Sequence, residues 1–252
     1  MSSTSTRPAA FITGASVGLG RAIANRLAAD GYDLVLADIK TDMLAETCND
    51  AAVKQVKVER IAVDIRDQAQ IKAAVAQTLK AFGRIDCLVN NAGRQLRKAA
   101  VDVTWDEYDD VMNINLKGAY FLTIEVARHW LANKLPGSVV NISSTHAVTG
   151  LPMGHVYGMS KSGIAGMTRM LAIEWATDNI RVNAVAPATV LTPSRQQMLA
   201  DPERRQQMQD RLPQKRFPTP EDIADGVAYL ANPRARAVTG HLLPVDAGLL
   251  AV

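Results

Sequence analysis

Only two cysteines, Cys48 and Cys87, occur in 252 residues, far apart and at no metal or redox spacing. They exclude a disulfide framework and read as reduced thiols of a cytosolic protein. The four histidines have no carboxylate or cysteine partner at ligand spacing, so no metal site is expected. No apolar run approaches the ~20 residues that span a bilayer. Met1 to Ala10 is short and polar, without the apolar core of a signal peptide. A cytoplasmic location without a membrane partner is therefore expected. Charge of one sign is scarce too, with 28 Lys and Arg against 25 Asp and Glu, a formal net charge of +3. The basic residues are scattered, apart from a modest cluster between Arg195 and Arg216. Nucleic acid needs a concentrated basic face, so it is not an expected partner. No Pro-, Ser- or Gly-rich linker divides the chain, and its length suits one large α/β domain over 1–252.

What the chain does have is alternation. Short apolar runs predict strands at Ala9–Thr13, Asp33–Ala37, Arg60–Asp64, Cys87–Asn90, Ser138–Ile142, Arg181–Ala184 and His241–Val245. Most are apolar throughout, as in parallel strands covered on both faces. Amphipathic stretches between them predict helices at Gly20–Asp30, Gln68–Phe82, Trp105–Asn133, Val156–Ala176 and Glu221–Leu230. Asp67 as a capping carboxylate and Pro220 in a first turn mark two helix starts. Strand, helix, strand, repeated about six times, implies a doubly wound parallel sheet with helices on both faces. Ligands then bind beyond the carboxyl ends of the strands, where the strand order switches.

The segment Thr13-Gly14-Ala15-Ser16-Val17-Gly18-Leu19-Gly20 leaves the first strand and opens the first helix. A dinucleotide pyrophosphate must approach backbone closely over a helix amino terminus, which calls for glycines at Gly14, Gly18 and Gly20. The spacing departs from G-x-G-x-x-G, so the motif alone also reads as a ligand-free turn. Asp38, eighteen residues after Gly20, ends the second strand. Its carboxylate suits the adenosine ribose hydroxyls and repels the extra phosphate of NADP. Neither Val17 nor Ile39 offers that phosphate a basic group, and Lys40 reads as a solvated loop residue. NAD is the expected cofactor, ahead of NADP.

Further pieces follow in order: Asn90-Asn91-Ala92-Gly93 after the fourth strand, Asn115 in Asn113-Ile114-Asn115-Leu116-Lys117-Gly118, then Asn141-Ile142-Ser143-Ser144 and Tyr157-Gly158-Met159-Ser160-Lys161. Together with the glycine motif, these pieces resemble the short-chain dehydrogenase/reductase family over almost the whole chain. The resemblance implies a single-domain Rossmann-type sheet of about seven strands, and a catalytic set of Asn115, Ser144, Tyr157 and Lys161. It also implies that Ser16, Val17, Leu19, Asp64, Ile65, Asn91, Ala92, Gly93, Pro187, Val190 and Thr192 join the glycines, Asp38, Tyr157 and Lys161 around the cofactor. Asn115 would hold a water that links Lys161 to solvent. Family members are usually tetramers, so a homotetramer built through the long helices is expected, with Met167, Met170, Leu171 and Trp175 as contact candidates. Two departures from the family pattern stand out: Pro187-Ala188 where Pro-Gly is usual, and Asp246-Ala247-Gly248 where Asp-Gly-Gly is usual.

Elementary chemistry supports the same roles. Tyr157 and Lys161, four apart, share one face of a helix. A free tyrosine titrates near pH ~10, too high for a base near neutrality. A neighbouring ammonium and the positive charge of an oxidised nicotinamide both favour phenolate. Tyr157 then takes the alcohol proton in oxidation, or gives it to the carbonyl oxygen in reduction. Ser144, thirteen residues before Tyr157, is expected on the substrate oxygen, with Ser143 pointing to the other side of an extended chain.

The substrate is less legible. Thr189–Phe217 is long for a loop and, by the resemblance, a lid over the substrate at about 189–217. Its basic residues Arg195, Arg204, Arg205, Lys215 and Arg216 read mostly as a solvated helix face, with Met198, Met208 and Leu212 packing inward. Arg97, in Arg94-Gln95-Leu96-Arg97-Lys98, resembles the arginine loop of relatives acting on sugar acids; a charged surface loop is the other reading. His146 and His155 are further candidates for the pocket. The expected reaction interconverts a secondary alcohol and a ketone on a sugar, polyol or sugar acid. The alternatives are a 3-oxoacyl thioester reductase of the acyl-carrier-protein type and a non-catalytic dinucleotide-binding regulator.

Overall fold

The computed structural model describes residues 6–52, 54–192 and 200–252. Seven strands form one sheet: β1 (Ala9–Thr13), β2 (Asp33–Asp38), β3 (Val58–Ala62), β4 (Cys87–Asn90), β5 (Gly137–Ile142), β6 (Ile180–Pro187) and β7 (Leu242–Val245). Their order is β3-β2-β1-β4-β5-β6-β7, and every pairing is parallel. Strand order reverses between β1 and β4, so a crevice opens beyond their carboxyl ends.

The helices are α1 (Gly18–Ala29), α2 (Ala45–Ala52), α3 (Gln68–Phe82), α4 (Trp105–Met112), α5 (Ala119–Asn133), α6 (His155–Glu174), α7 (Pro202–Asp210) and α8 (Pro220–Ala231). Successive strand residues face opposite sides, so Phe11 joins one core and Ala10 and Ile12 the other. The first core packs α3, α5 and α6 on the sheet; the second packs α1 and α8. Trp130 is fully buried in the first and donates its indole N–H to Ile85 O at 2.7 Å. Asp67 caps α3 through Ala69 N and Gln70 N, and Pro220 opens α8 behind the Thr219–Asp222 capping box.

Several expectations need correction. β3 lies at Val58–Ala62, two residues before the predicted run. It is an edge strand paired only with β2, so it tolerates Glu59 and Arg60 in place of an apolar run. β6 continues through the apolar Val185 and Ala186 to Pro187. α2 was not foreseen. The expected helix Trp105–Asn133 is interrupted by a π-helical turn at Asn113–Gly118, where Asn115 turns inward. Among the contact candidates, Met167, Leu171 and Trp175 are buried in the core, while Met170 is 66% exposed. Leu212 is buried against Phe217, with Met208 partly buried beside it; Arg195 and Met198 lie outside the described residues.

Candidate active site

The cleft forms where β1 and β4 end. Thr13 Oγ1 accepts from the backbone N–H of Asn91 (3.0 Å) and Ala92 (3.1 Å), while Asn91 Nδ2 donates to Thr13 O and Gly14 O, both at 2.9 Å. The two strand ends are thus stitched together, a role for Asn91 that spacing did not suggest. Gly20 has no room for a side chain: a Cβ there would lie 2.0 Å from Gly14 O. Gly18 has φ +56°, a left-handed conformation that favours glycine. Val17 stands at the N-cap of α1 and offers no capping acceptor, whereas Asp67, Thr104 and Thr219 cap α3, α4 and α8. The first-turn N–H groups of α1 are therefore left without a side-chain acceptor beside the glycine cradle, the arrangement a pyrophosphate requires.

The cleft encloses about 730 Å³ and is lined by the segments that follow β1 to β6. Every residue expected around the cofactor, from Gly14 to Thr192, lines it. Asp38 sits at its β2 wall, its carboxylate accepting from Ser16 N (3.2 Å) and Ile39 N (2.8 Å). Asp64 and Ile65 follow β3, with Arg66, which was not anticipated.

At the other end stand Ser144, His146, Tyr157 and Lys161. Lys161 is buried, its Nζ donating to Ile142 O at 2.7 Å and lying 5.7 Å from the Tyr157 ring centre. Burial alone pulls its amine down to about 8. Ser144 Oγ accepts from His146 N (3.1 Å), and the His146 ring meets Tyr157 edge-on at 6.5 Å. Ser143 Oγ instead donates to Lys161 O at 3.0 Å, a fastening rather than a free hydroxyl.

Asn115 is buried, and its carboxamide grips the backbone of Arg94: Oδ1 accepts from Arg94 N (2.7 Å) and Nδ2 donates to Arg94 O (2.9 Å). Nδ2 also donates to Ser160 Oγ at 3.0 Å. The side chain does not line the cleft; it ties the β4 loop to α6.

Arg97 and His155 stand outside the cleft wall. His155 precedes Tyr157 by two helical positions, about 200° around the axis, so the two cannot share a face. Lys98 is held by Met153 O and Glu107, and its neighbour Arg97 is exposed. Arg94 and Gln95 line the cleft in their place. Their position just after a strand, directly behind Gly93, is the signal that could have found both. Thr189, Val190 and Thr192 line the cleft, whereas the described residues of 200–217 do not. Ala188 lines it too, and its methyl packs against the small cluster of Leu212, Phe217 and Ala247. Among the described residues no group of three or more His, Cys, Asp or Glu is arranged to hold a metal.

A parallel sheet with this order, a glycine cradle and an acid ending β2 define a dinucleotide-binding oxidoreductase fold. The sequence profile described as enoyl-(acyl carrier protein) reductase matches residues 14–250. The 2-dehydro-3-deoxy-D-gluconate 5-dehydrogenase of Escherichia coli is 36% identical over 96% of this chain and 95% of its own. The 3-oxoacyl-(acyl-carrier-protein) reductase of Thermotoga maritima is also 36% identical, over 95% and 96%. Two solved structures superpose closely. A candidate 2-deoxy-D-gluconate 3-dehydrogenase from Agrobacterium tumefaciens, with bound NADP, has a TM-score of 0.91 at 35% identity, covering 100% of both chains. Carveol dehydrogenase from Mycobacterium avium, in complex with NAD, has a TM-score of 0.92 at 30% identity, covering 97% and 98%. The chain belongs to the short-chain dehydrogenase/reductase family and is an enzyme using a nicotinamide dinucleotide.

Proposed function

We propose that the protein is an NAD-preferring dehydrogenase that interconverts a secondary alcohol and a ketone on a sugar, polyol or sugar acid. The observation that carries this reading is the grouping of Ser144, Tyr157 and buried Lys161 at one end of a cleft whose other end carries Asp38. When bound, the nicotinamide accepts or supplies the hydride. Tyr157 exchanges the proton with the substrate oxygen, and Ser144 hydrogen-bonds that oxygen. The Lys161 ammonium favours the phenolate of Tyr157 and holds the nicotinamide ribose. Asn115 positions the Gly93–Arg94 backbone beside Lys161, since a Cβ on Gly93 would lie 3.5 Å from Nζ. A polar substrate is favoured by Arg94, Gln95 and His146 around the reacting end and by the sugar-acid relatives. We assign it to the cytoplasm as a homotetramer.

Separate titrations with NAD and NADP, followed by absorbance screens with polyols, sugars and sugar acids at mildly alkaline pH, test the reading. NAD-dependent turnover of a hydroxy acid or polyol supports it. Silence there, with NADPH-driven reduction of an acetoacetyl thioester, would move the chain to the acyl reductases. Tyr157→Phe is expected to abolish turnover and keep cofactor binding, whereas a non-catalytic regulator would show no turnover in either form.

A further inference from the structure

Among the described residues lining the cleft, three carry a positive charge: Arg66, Arg94 and Lys161. Lys161 stands at the nicotinamide end on Ile142 O, and Arg94 leaves β4. Arg66 belongs to the adenosine end. Its segment leaves β3 next to Asp38, whose main-chain oxygen accepts from Val63 N at 2.8 Å. Arg66 is therefore the cleft cation placed nearest to where an adenosine 2′-phosphate would be met.

That guanidinium is already engaged on several sides. Nε and Nη2 donate to Asp64 at 2.9 and 2.6 Å, and Nη1 donates to Asp110 Oδ1 at 2.9 Å. The second oxygen of Asp110 accepts from Arg94. Asp110 does not line the cleft; it lies on α4 behind the two arginines, with its side chain 22% exposed. Asp110 thus accepts one N–H from each of two cleft guanidiniums, drawing that arm of Arg66 toward α4 while Asp64 holds the other side bidentately.

We infer that Asp110 is a positioning residue for cofactor choice: by drawing Arg66 onto α4, it denies a 2′-phosphate the cation it would need. The inference rests on the NAD preference proposed above and extends it from Asp38 to a residue that touches no cofactor. Exposed pairs contribute little one at a time, but a bidentate guanidinium shared by two carboxylates holds a fixed geometry. The effect is thus on where a charge points rather than on stability.

Isothermal titration of NAD and NADP, each against wild type and Asp110→Asn, reads this without turnover. Asp110→Asn is expected to tighten NADP about fivefold and to move NAD less than about twofold, with the gain shrinking as salt rises. Asp110→Glu should retain the wild-type ratio. Adding Arg66→Gln should erase the gain. An unchanged ratio of the two dissociation constants, or a gain that survives Arg66→Gln, overturns the inference while leaving the NAD preference intact. Wild type that binds NADP as tightly as NAD overturns the preference itself, and this inference with it.

Discussion

A buried amine, Lys161, lines the cleft. Lys161 titrates at about 8 because burial penalises its charged form, against 10.5 for the ordinary side chain. The unfolded chain therefore holds more protons between those two values, and stability rises with pH across that window. Below it the full cost of burying the cation is present, roughly 3 kcal/mol. Lys161→Met should thus abolish turnover yet raise the melting temperature at pH 7, with the gain fading towards pH 10.5; calorimetry across that range is the check. A melting temperature lowered at every pH would show that the contact with Ile142 O outweighs the burial cost. Gly20 makes the opposite case. Gly20→Ala forces its methyl against Gly14 O, and about 2–3 kcal/mol of destabilisation with loss of dinucleotide binding is expected in a denaturant series with NAD titration.

At the scale of elements, side chains that finish the backbone hydrogen bonding of loops and helix ends hold the site together. Arg181, on β6, donates to the carbonyls of Leu230, Ala231, Asn232 and Val238 and to Ser138 Oγ, fastening the end of α8 to the sheet. No carboxylate is among those acceptors, and burial lowers its pKa. Arg181→Leu would orphan several carbonyls at once, and a loss of about 2–4 kcal/mol in urea unfolding is expected. Asn115→Ala releases the two main-chain groups of Arg94 in the same way. Because it also frees the loop beside Lys161, its kcat should fall by more than tenfold while the affinity for NAD changes little. A fall in NAD affinity with kcat unchanged would instead make Asn115 a support of cofactor binding. These two ties were hidden in the sequence, since each pairs residues far apart in the chain.

Across the whole molecule, the apolar groups left on the surface bear on assembly. Val101, Trp105, Tyr120, Phe121, Met170 and Ile173 are exposed on and around α4, α5 and α6, while α8 exposes Tyr229. Large apolar groups gathered on one side mark association surfaces. Light scattering at micromolar concentration should report a species larger than the monomer, and Phe121→Lys with Ile173→Lys should reduce its mass. A monomeric wild type would remove the tetramer from the proposal. Among the described residues no helix is long and apolar enough to cross a membrane.

Local chemistry alone determined much of this protein. Apolar runs separated by amphipathic stretches specified a parallel sheet, because strands covered on both faces must be apolar throughout. Gly14, Gly18, Gly20, Asp38, Tyr157 and Lys161 were legible because backbone approach, an acid after a strand and an i, i+4 pair are all short-range patterns. Tertiary structure decided the rest. It moved β3 to an edge where polar residues are tolerated, and broke Trp105–Asn133 so that Asn115 reaches Arg94. It placed Arg94, and not Arg97, in the cleft wall, and turned Met167, Leu171 and Trp175 into core. Each outcome depends on which distant segment lies opposite, and periodicity along one segment carries no record of its neighbour.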